Sequence, residues 1–88
     1  MKEYNVVSVL WNDHVEFHRS KLHKHPEKLM RPTLTIGFIF RETDDTMTLV
    51  SDLERYEDGD EATYVVIYKA TIVGVTEYGK IKLANVGA

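Results

Sequence analysis

The chain has 88 residues, a mass of 10.2 kDa and a formal net charge of −3. A chain of this length can build one hydrophobic core, so we expect a single domain over residues 1–88. The absence of cysteine excludes a disulfide framework, a thiolate metal site and a cysteine nucleophile. No apolar run reaches the ~18 residues that a membrane span needs, and residues 11–14 are too polar for a signal peptide. We therefore expect a soluble protein of the cytoplasm.

Apolar side chains that alternate with polar ones predict short β-strands in the first half of the chain. Residues 5–11 are mostly β-branched or aromatic and form the first predicted strand. Residues 33–41 alternate more strictly, and Gly37 within them predicts a bulge or a sharp bend. Residues 43–46 have turn chemistry, because their two aspartates can bond their own backbone. This turn predicts a hairpin whose second strand is residues 47–50.

The second half of the chain is predicted as strands that alternate with turns. A turn at residues 58–60 leads into a continuous β-rich run, and a short break follows at residues 69–71. Gly79 is expected to end one short strand before a last, weaker one begins. The strands predicted here are residues 63–68, 72–75 and 80–86.

Residues 12–25 fit two interpretations. Asp13 and Glu16 have the spacing of a helix capping box, whereas Val15 and Phe17 alternate as they would on a strand. Strand, helix and loop therefore all stay open for this stretch.

A short helical segment is predicted near residues 26–31, because a proline stands at its start. Five or six strands and one such segment in 88 residues predict a mainly β fold. We expect a small antiparallel barrel or a curled sheet, since closing the sheet removes exposed strand edges.

Charge is distributed unevenly along the chain. Residues 42–61 carry nine acidic side chains and one basic one, while residues 1–41 and 62–88 are net basic by +3 and +2. One interpretation is that the acidic turns are only solvated. The other is an acidic surface that docks on a basic groove of a partner, with an association rate that salt lowers. The residues of that candidate surface are Asp44, Asp45, Glu57, Asp58, Asp60 and Glu61.

The four histidines lie close together in the sequence. On a strand, His14, Glu16 and His18 would share one face, which resembles two imidazoles and a carboxylate around a metal ion. No matching ligand is spaced elsewhere in the chain, and Lys21 and Lys24 would repel a cation. These three residues are therefore only weak metal candidates, and we predict no cofactor.

A second candidate surface combines basic and aromatic side chains. Lysines and an arginine of the segment before the main strand could face a ligand or RNA, and tyrosines of a later strand could stack on bases. The plainer interpretation places the tyrosines in the core and the lysines in a solvated loop. The residues concerned are Lys21, Lys24, Arg31, Tyr64 and Tyr68.

Catalytic signatures are absent from the sequence. No serine lies in a nucleophile motif, and the glycines are too scattered for a phosphate-binding loop. Building a catalytic pocket in so small a core is difficult. We therefore predict that the protein is not an enzyme. A further alternative is a metal-dependent hydrolase that uses His14, Glu16 and His18.

Three stretches of sequence resemble a pattern in small, uncharacterised proteins encoded by bacteriophages and prophages. They are Val9-Leu10-Trp11-x-Asp13, the strand and turn from Thr33 to Asp44, and Val66-Ile67-x-Lys69-x-x-Ile72. The arrangement also resembles an Sm-like or SH3-like barrel. In such a barrel, the strands on either side of the break at residues 69–71 would pair with neighbouring subunits and close a ring.

The resemblance implies a homo-oligomeric binding module more than an RNA-binding one. The Sm-type RNA-pocket residues are not matched, because residues 46–51 contain no asparagine and no Arg-Gly dipeptide precedes Ile72. A phage origin would imply a role in the host cytoplasm, in host takeover or in evasion of host defence, through a host protein or a small ligand. The alternative is a monomeric acidic inhibitor that imitates nucleic acid and blocks a host nucleic-acid-binding protein through residues 42–61.

Overall fold

The structure, a computed structural model, describes residues 1–13 and 19–87. Its regular elements in that part of the chain are five strands and two short 3-10 turns. The strands are β1 (Lys2–Asp13), β2 (Arg31–Glu42), β3 (Thr46–Tyr56), β4 (Gly59–Tyr68) and β5 (Ile72–Leu83), and the turns are Pro26–Leu29 and Lys69–Thr71.

All five strands belong to one antiparallel sheet with the order β4-β3-β2-β1-β5. The first four strands form a meander, and β5 returns to pair with the other side of β1. This arrangement confirms the predicted mainly β fold in its curled-sheet form. Among the described residues, no pairing joins β4 to β5, so the sheet is open and both of these strands are edges.

Strand β2 bends and is shared between two halves of the sheet. Its residues up to Phe38 pair with β1, whereas those from Phe38 onward pair with β3. At the crossover, a side chain on Gly37 would collide with the carbonyl oxygen of Val50, so only glycine permits this approach. A bulge lies just beyond, between Ile39 and Arg41. Bends and bulges of this kind let a strand pass from one half-sheet to another.

Alternation along the strands gives the sheet two different faces. On the face that we call the inner face, Val7 and Val9 of β1 pack with residues of β3 and β4, although β2 separates these strands in the sheet. The sheet therefore curls around this cluster. Its buried members are Val7, Val9, Met47, Leu49 and Ile67, and the partly buried Trp11, Ile39, Val65 and Ile72 pack against them.

The opposite face carries a second cluster, built on Tyr4, Phe38 and Val50. Tyr4 and Phe38 are in contact, with ring centroids 5.1 Å apart. The C-terminal residues 84–87, which we call the tail, run over this face and place Val86 against the cluster. We therefore call it the tail face.

Several local predictions are confirmed and others are wrong. The turn after β2 forms, but the hydroxyl of Thr43 organises it, accepting from the backbone N–H of Thr46 at 3.0 Å, rather than an aspartate. Residues 72–83 form one strand, because Gly79 adopts a φ of +150° and the irregularity there is absorbed as a bulge against β1. The helical segment exists only as the 3-10 turn Pro26–Leu29.

Candidate functional site

Strands β1 and β2 separate at one end of the sheet and leave a cleft between them. Their pairing stops at Val6 and Phe38, so residues 2–5 pair only with β5 and residues 39–42 turn toward β3. We call this opening the β1–β2 cleft. Its first cavity has a volume of about 420 Å³ and is lined by Lys2, Tyr4, Phe40, Arg41, Asn85 and Val86.

Two further cavities adjoin the first and share Phe40 and Arg41 with it. One, of about 370 Å³, lies on the tail face and has mostly apolar walls that include Val50, Leu53 and Val66. The other, also of about 370 Å³, extends along β1 to Asn5 and Lys80. Arg41 therefore borders both the apolar hollow on the tail face and the polar one along β1.

The tail forms one wall of the cleft and is held by two charged side chains of the β3–β4 hairpin. Arg55 donates to the carbonyl oxygens of Ala84 and Asn85 and forms an ion pair of 2.9 Å with Asp60. The second carboxylate oxygen of Asp60 accepts from the backbone N–H of Gly87 at 2.9 Å. The side chain of Asp60 is only 9% exposed, so its carboxylate bonds within the protein rather than projecting into solvent.

Charged side chains of both signs line the cleft: Lys2, Arg41 and Lys80, against Glu3, Glu42 and Asp60. Glu3 and Glu42 lie at its rim, but Glu3 pairs with Lys82 at 3.8 Å and Glu42 pairs with Lys69 at 2.9 Å. Lys2 lies over the ring of Tyr4, with its Nζ 5.5 Å from the centroid. Within the described part of the chain, neither Lys2 nor Arg41 forms an ion pair.

A separate apolar patch lies on the tail face, at the other end of β1 and β2. Leu10 and Leu34 are direct cross-strand partners, and Ile36 is the next residue of β2 on the same face. Their exposed fractions are 38%, 61% and 56%. We call these three residues the leucine patch.

The six predicted acidic residues do not form one continuous surface. Asp44 and Asp45 lie in the turn before β3, whereas the other four lie at or near the turn that follows it. The 11 residues of β3 separate the two groups by about 35 Å of strand.

The β3–β4 hairpin carries an acidic feature that the sequence did not reveal. Glu54 and Glu61 are direct cross-strand partners, and Asp52 lines the same shallow hollow. Like charges in this position repel each other. The Tyr56 hydroxyl donates to the carboxylate of Glu54, and this hydrogen bond raises the pKa of Tyr56 above its ordinary value of 10.0.

The predicted basic and aromatic residues are dispersed. Lys21 and Lys24 are exposed in the irregular segment before the first 3-10 turn, and Arg31 is the first residue of β2. Tyr64 and Tyr68 lie on one face of β4, which β3 separates from β2, and they are 63% and 67% exposed. The tyrosines are therefore surface residues, and the structure does not bring Arg31 to them.

The predicted metal candidates His14, Glu16 and His18 lie outside the described residues. In residues 1–13 and 19–87, no group of three histidine, aspartate or glutamate side chains is placed to hold a metal ion. The same part of the chain contains no helix with the length and apolar character needed to cross a membrane.

Comparison of the chain with protein-family models, with curated proteins and with solved structures found no match. The candidate surfaces are therefore supported by their geometry alone. Sequence reasoning missed the β1–β2 cleft because its residues come from the tail and from two strands whose pairing stops early. The only local signal is that Phe40 is followed by a charged Arg41 where the alternation of β2 ends.

Proposed function

We propose that the protein is a non-enzymatic binding module that functions as a homo-oligomer. The observation that carries this proposal is its large exposed surface. The single chain exposes 7022 Å², whereas a compact monomer of 10.2 kDa is expected to expose about 5,300 Å². The radius of gyration of 16.0 Å likewise exceeds the ~12 Å expected for a domain of this length.

The excess area has the size of a protein interface. It amounts to about 1,700 Å², while a standard interface covers about 800 Å² on each partner. One chain could therefore cover the excess by using two surfaces, as the members of a ring or a larger assembly do.

Two features of the sheet supply such surfaces. The leucine patch presents three adjacent apolar side chains, and contiguous exposed apolar area is typical of interaction sites. Strands β4 and β5 are open edges of 10 and 12 residues, and open edges readily pair with another chain. A second copy of this chain provides both a matching apolar patch and a matching edge.

Size-exclusion chromatography with light scattering tests the proposal. We expect the wild-type protein to elute at a multiple of its chain mass, and Ile36→Lys to shift the population toward monomer because a charge enters the leucine patch. Ser20→Lys is the matched control, since it adds the same charge at an exposed position outside the sheet. Wild-type protein that elutes only as a monomer at micromolar concentration would contradict the proposal.

The acidic hairpin supports a second candidate function. The paired Glu54 and Glu61, together with Glu57 and Asp58 at the tip, concentrate negative charge at the far end of β3 and β4. A basic partner would relieve the repulsion between the paired carboxylates, as expected of an acidic inhibitor that docks on a nucleic-acid-binding groove. This role, and the role in host takeover that the phage resemblance implies, stay predictions.

Charge reversal separates this second function from the first. Glu57→Lys combined with Asp58→Lys should abolish capture of a basic host protein and leave the native mass of the module unchanged. Asp44→Lys combined with Asp45→Lys is the matched control, because these residues lie at the opposite end of β3. Equal loss of capture by both pairs would show attraction to overall charge rather than a docking surface.

A further inference from the structure

We propose that the β1–β2 cleft binds a small organic anion that carries an apolar group. Three adjoining cavities meet there, of about 420, 370 and 370 Å³, and all of them are lined by Phe40 and Arg41. Volumes in this range suit small ligands.

The charged end of the ligand is fixed by the cations of the cleft. Arg41 offers a planar fork of N–H donors that matches a phosphate or carboxylate, and Lys2 adds a second positive charge on the same cavity. The rim carboxylates of Glu3 and Glu42 are engaged by Lys82 and Lys69, so they compete less for these cations. An anion in this cavity therefore meets two cations, Lys2 and Arg41.

The apolar part of the ligand is fixed by the hollow on the tail face. Val50, Leu53, Val66 and Val86 line it together with Tyr64. Asp60 also borders it, but its carboxylate is engaged by Arg55 and by the Gly87 N–H. Arg41 borders both this hollow and the polar cavity, so one molecule can place its anionic group on Arg41 and its apolar group among these side chains. A bare inorganic anion would leave the hollow unused.

The tail makes the site sensitive to the hairpin that holds it. Asn85 and Val86 line the cleft, and the tail is fastened by Arg55 and Asp60. A ligand that contacts Val86 therefore binds to a wall already ordered by the β3–β4 hairpin, which lowers the entropic cost of binding.

This inference rests on the proposed role as a binding module, but it does not require self-association. Two kinds of metabolite share the chemistry: a nucleoside phosphate and an acyl carboxylate. Isothermal titration calorimetry with adenosine 5′-monophosphate, decanoate and inorganic phosphate distinguishes them. We expect one organic anion to bind, and inorganic phosphate to bind at least about tenfold more weakly, because it lacks the apolar contacts.

Variants locate the binding site. Arg41→Ala should weaken binding of the organic anion by about tenfold or more, because it removes a charge-assisted contact. Lys28→Ala is the control, since it removes one positive charge from an exposed 3-10 turn away from the cleft. Lys2→Ala, an exposed change near the chain start, gives a second test if circular dichroism shows that Arg41→Ala is unfolded.

The outcomes separate this site from the assembly. If neither adenosine 5′-monophosphate nor decanoate binds at millimolar concentration, the inference is overturned, as it is by equal weakening in Arg41→Ala and Lys28→Ala. Inorganic phosphate that binds as tightly as the organic anion also overturns it. Light scattering on the same samples measures the oligomeric state independently. An oligomer that binds no ligand would contradict only the proposed ligand site. A monomer that binds the ligand would contradict only the proposed self-association.

Discussion

The two faces of the sheet are built from consecutive residues of the same strands, yet they differ in how completely they are covered. On the inner face, Val9, Leu49 and Ile67 are fully buried, because the curled sheet packs against itself. On the tail face, Phe38 is buried, but Leu34 and Ile36 on the same strand are more than half exposed. A short tail covers only part of this face. The difference indicates that the inner face is completely packed, whereas the tail face keeps part of its apolar side chains exposed.

The largest expected effect comes from removing a side chain of the inner face. Leu49→Ala should lower the free energy of unfolding by about 2–5 kcal/mol, because it leaves a cavity in a fully buried cluster. Leu34→Ala, the same change on the tail face, should cost less than about 0.5 kcal/mol in the monomer. Urea unfolding at low protein concentration measures both. Similar losses for the two variants would contradict the distinction between the faces.

A second change tests how the tail is attached to its face. Asp60→Ala should cost about 1.5–3 kcal/mol, because it removes the partner of Arg55 and the acceptor of the Gly87 N–H. Asp58→Ala, in the turn next to it, is expected to be nearly neutral. Hydrogen exchange at the tail amides, followed by NMR, checks the mechanism, and unchanged protection of Gly87 in Asp60→Ala would refute it.

A third change tests the crossover at Gly37, where β2 passes from pairing with β1 to pairing with β3. Gly37→Ala should cost about 1–3 kcal/mol, because the added methyl group meets the backbone oxygen of Val50 and the strands must move apart. Gly74→Ala on the edge strand β5 is the control, since nothing lies within 4 Å of the added atom. Thermal unfolding of the two variants gives the comparison, and equal midpoints would be the contrary result.

The smallest effect concerns a titration at the acidic hairpin. Glu54→Gln should lower the pKa of Tyr56 toward 10.0, because the charged acceptor that holds the phenol proton is lost. The ring signals of Tyr56 in an NMR titration report this pKa. A pKa that stays unchanged in the variant would show that Glu54 is not its cause.

Strands, turns and the overall class follow from local pattern, and so the sequence predicts them. Alternation over residues 33–41 marks β2, and the glycine and aspartates mark where the chain reverses. The length of β5 is not predicted, because a bulge against β1 absorbs Gly79 without ending the strand. The length of β5 is decided by its pairing with β1, which is distant from it in sequence.

The candidate sites depend on how the strands pair even more strongly than the strand lengths do. The acidic run is continuous in sequence, but β3 divides it between two ends of the sheet. Conversely, Lys2 and Arg41 are far apart in sequence and come together only because the pairing of β1 and β2 stops at Val6 and Phe38. Contacts between distant strands are set by tertiary packing, which period and composition do not specify.

Sedimentation equilibrium over a range of protein concentrations tests the central claim most directly. If the tail face and the open edges are covered by further copies, the molar mass should reach an integral multiple of 10.2 kDa and fall on dilution in the Ile36→Lys variant before it falls in the wild-type protein. A molar mass of one chain for the wild-type protein at every concentration would contradict the account.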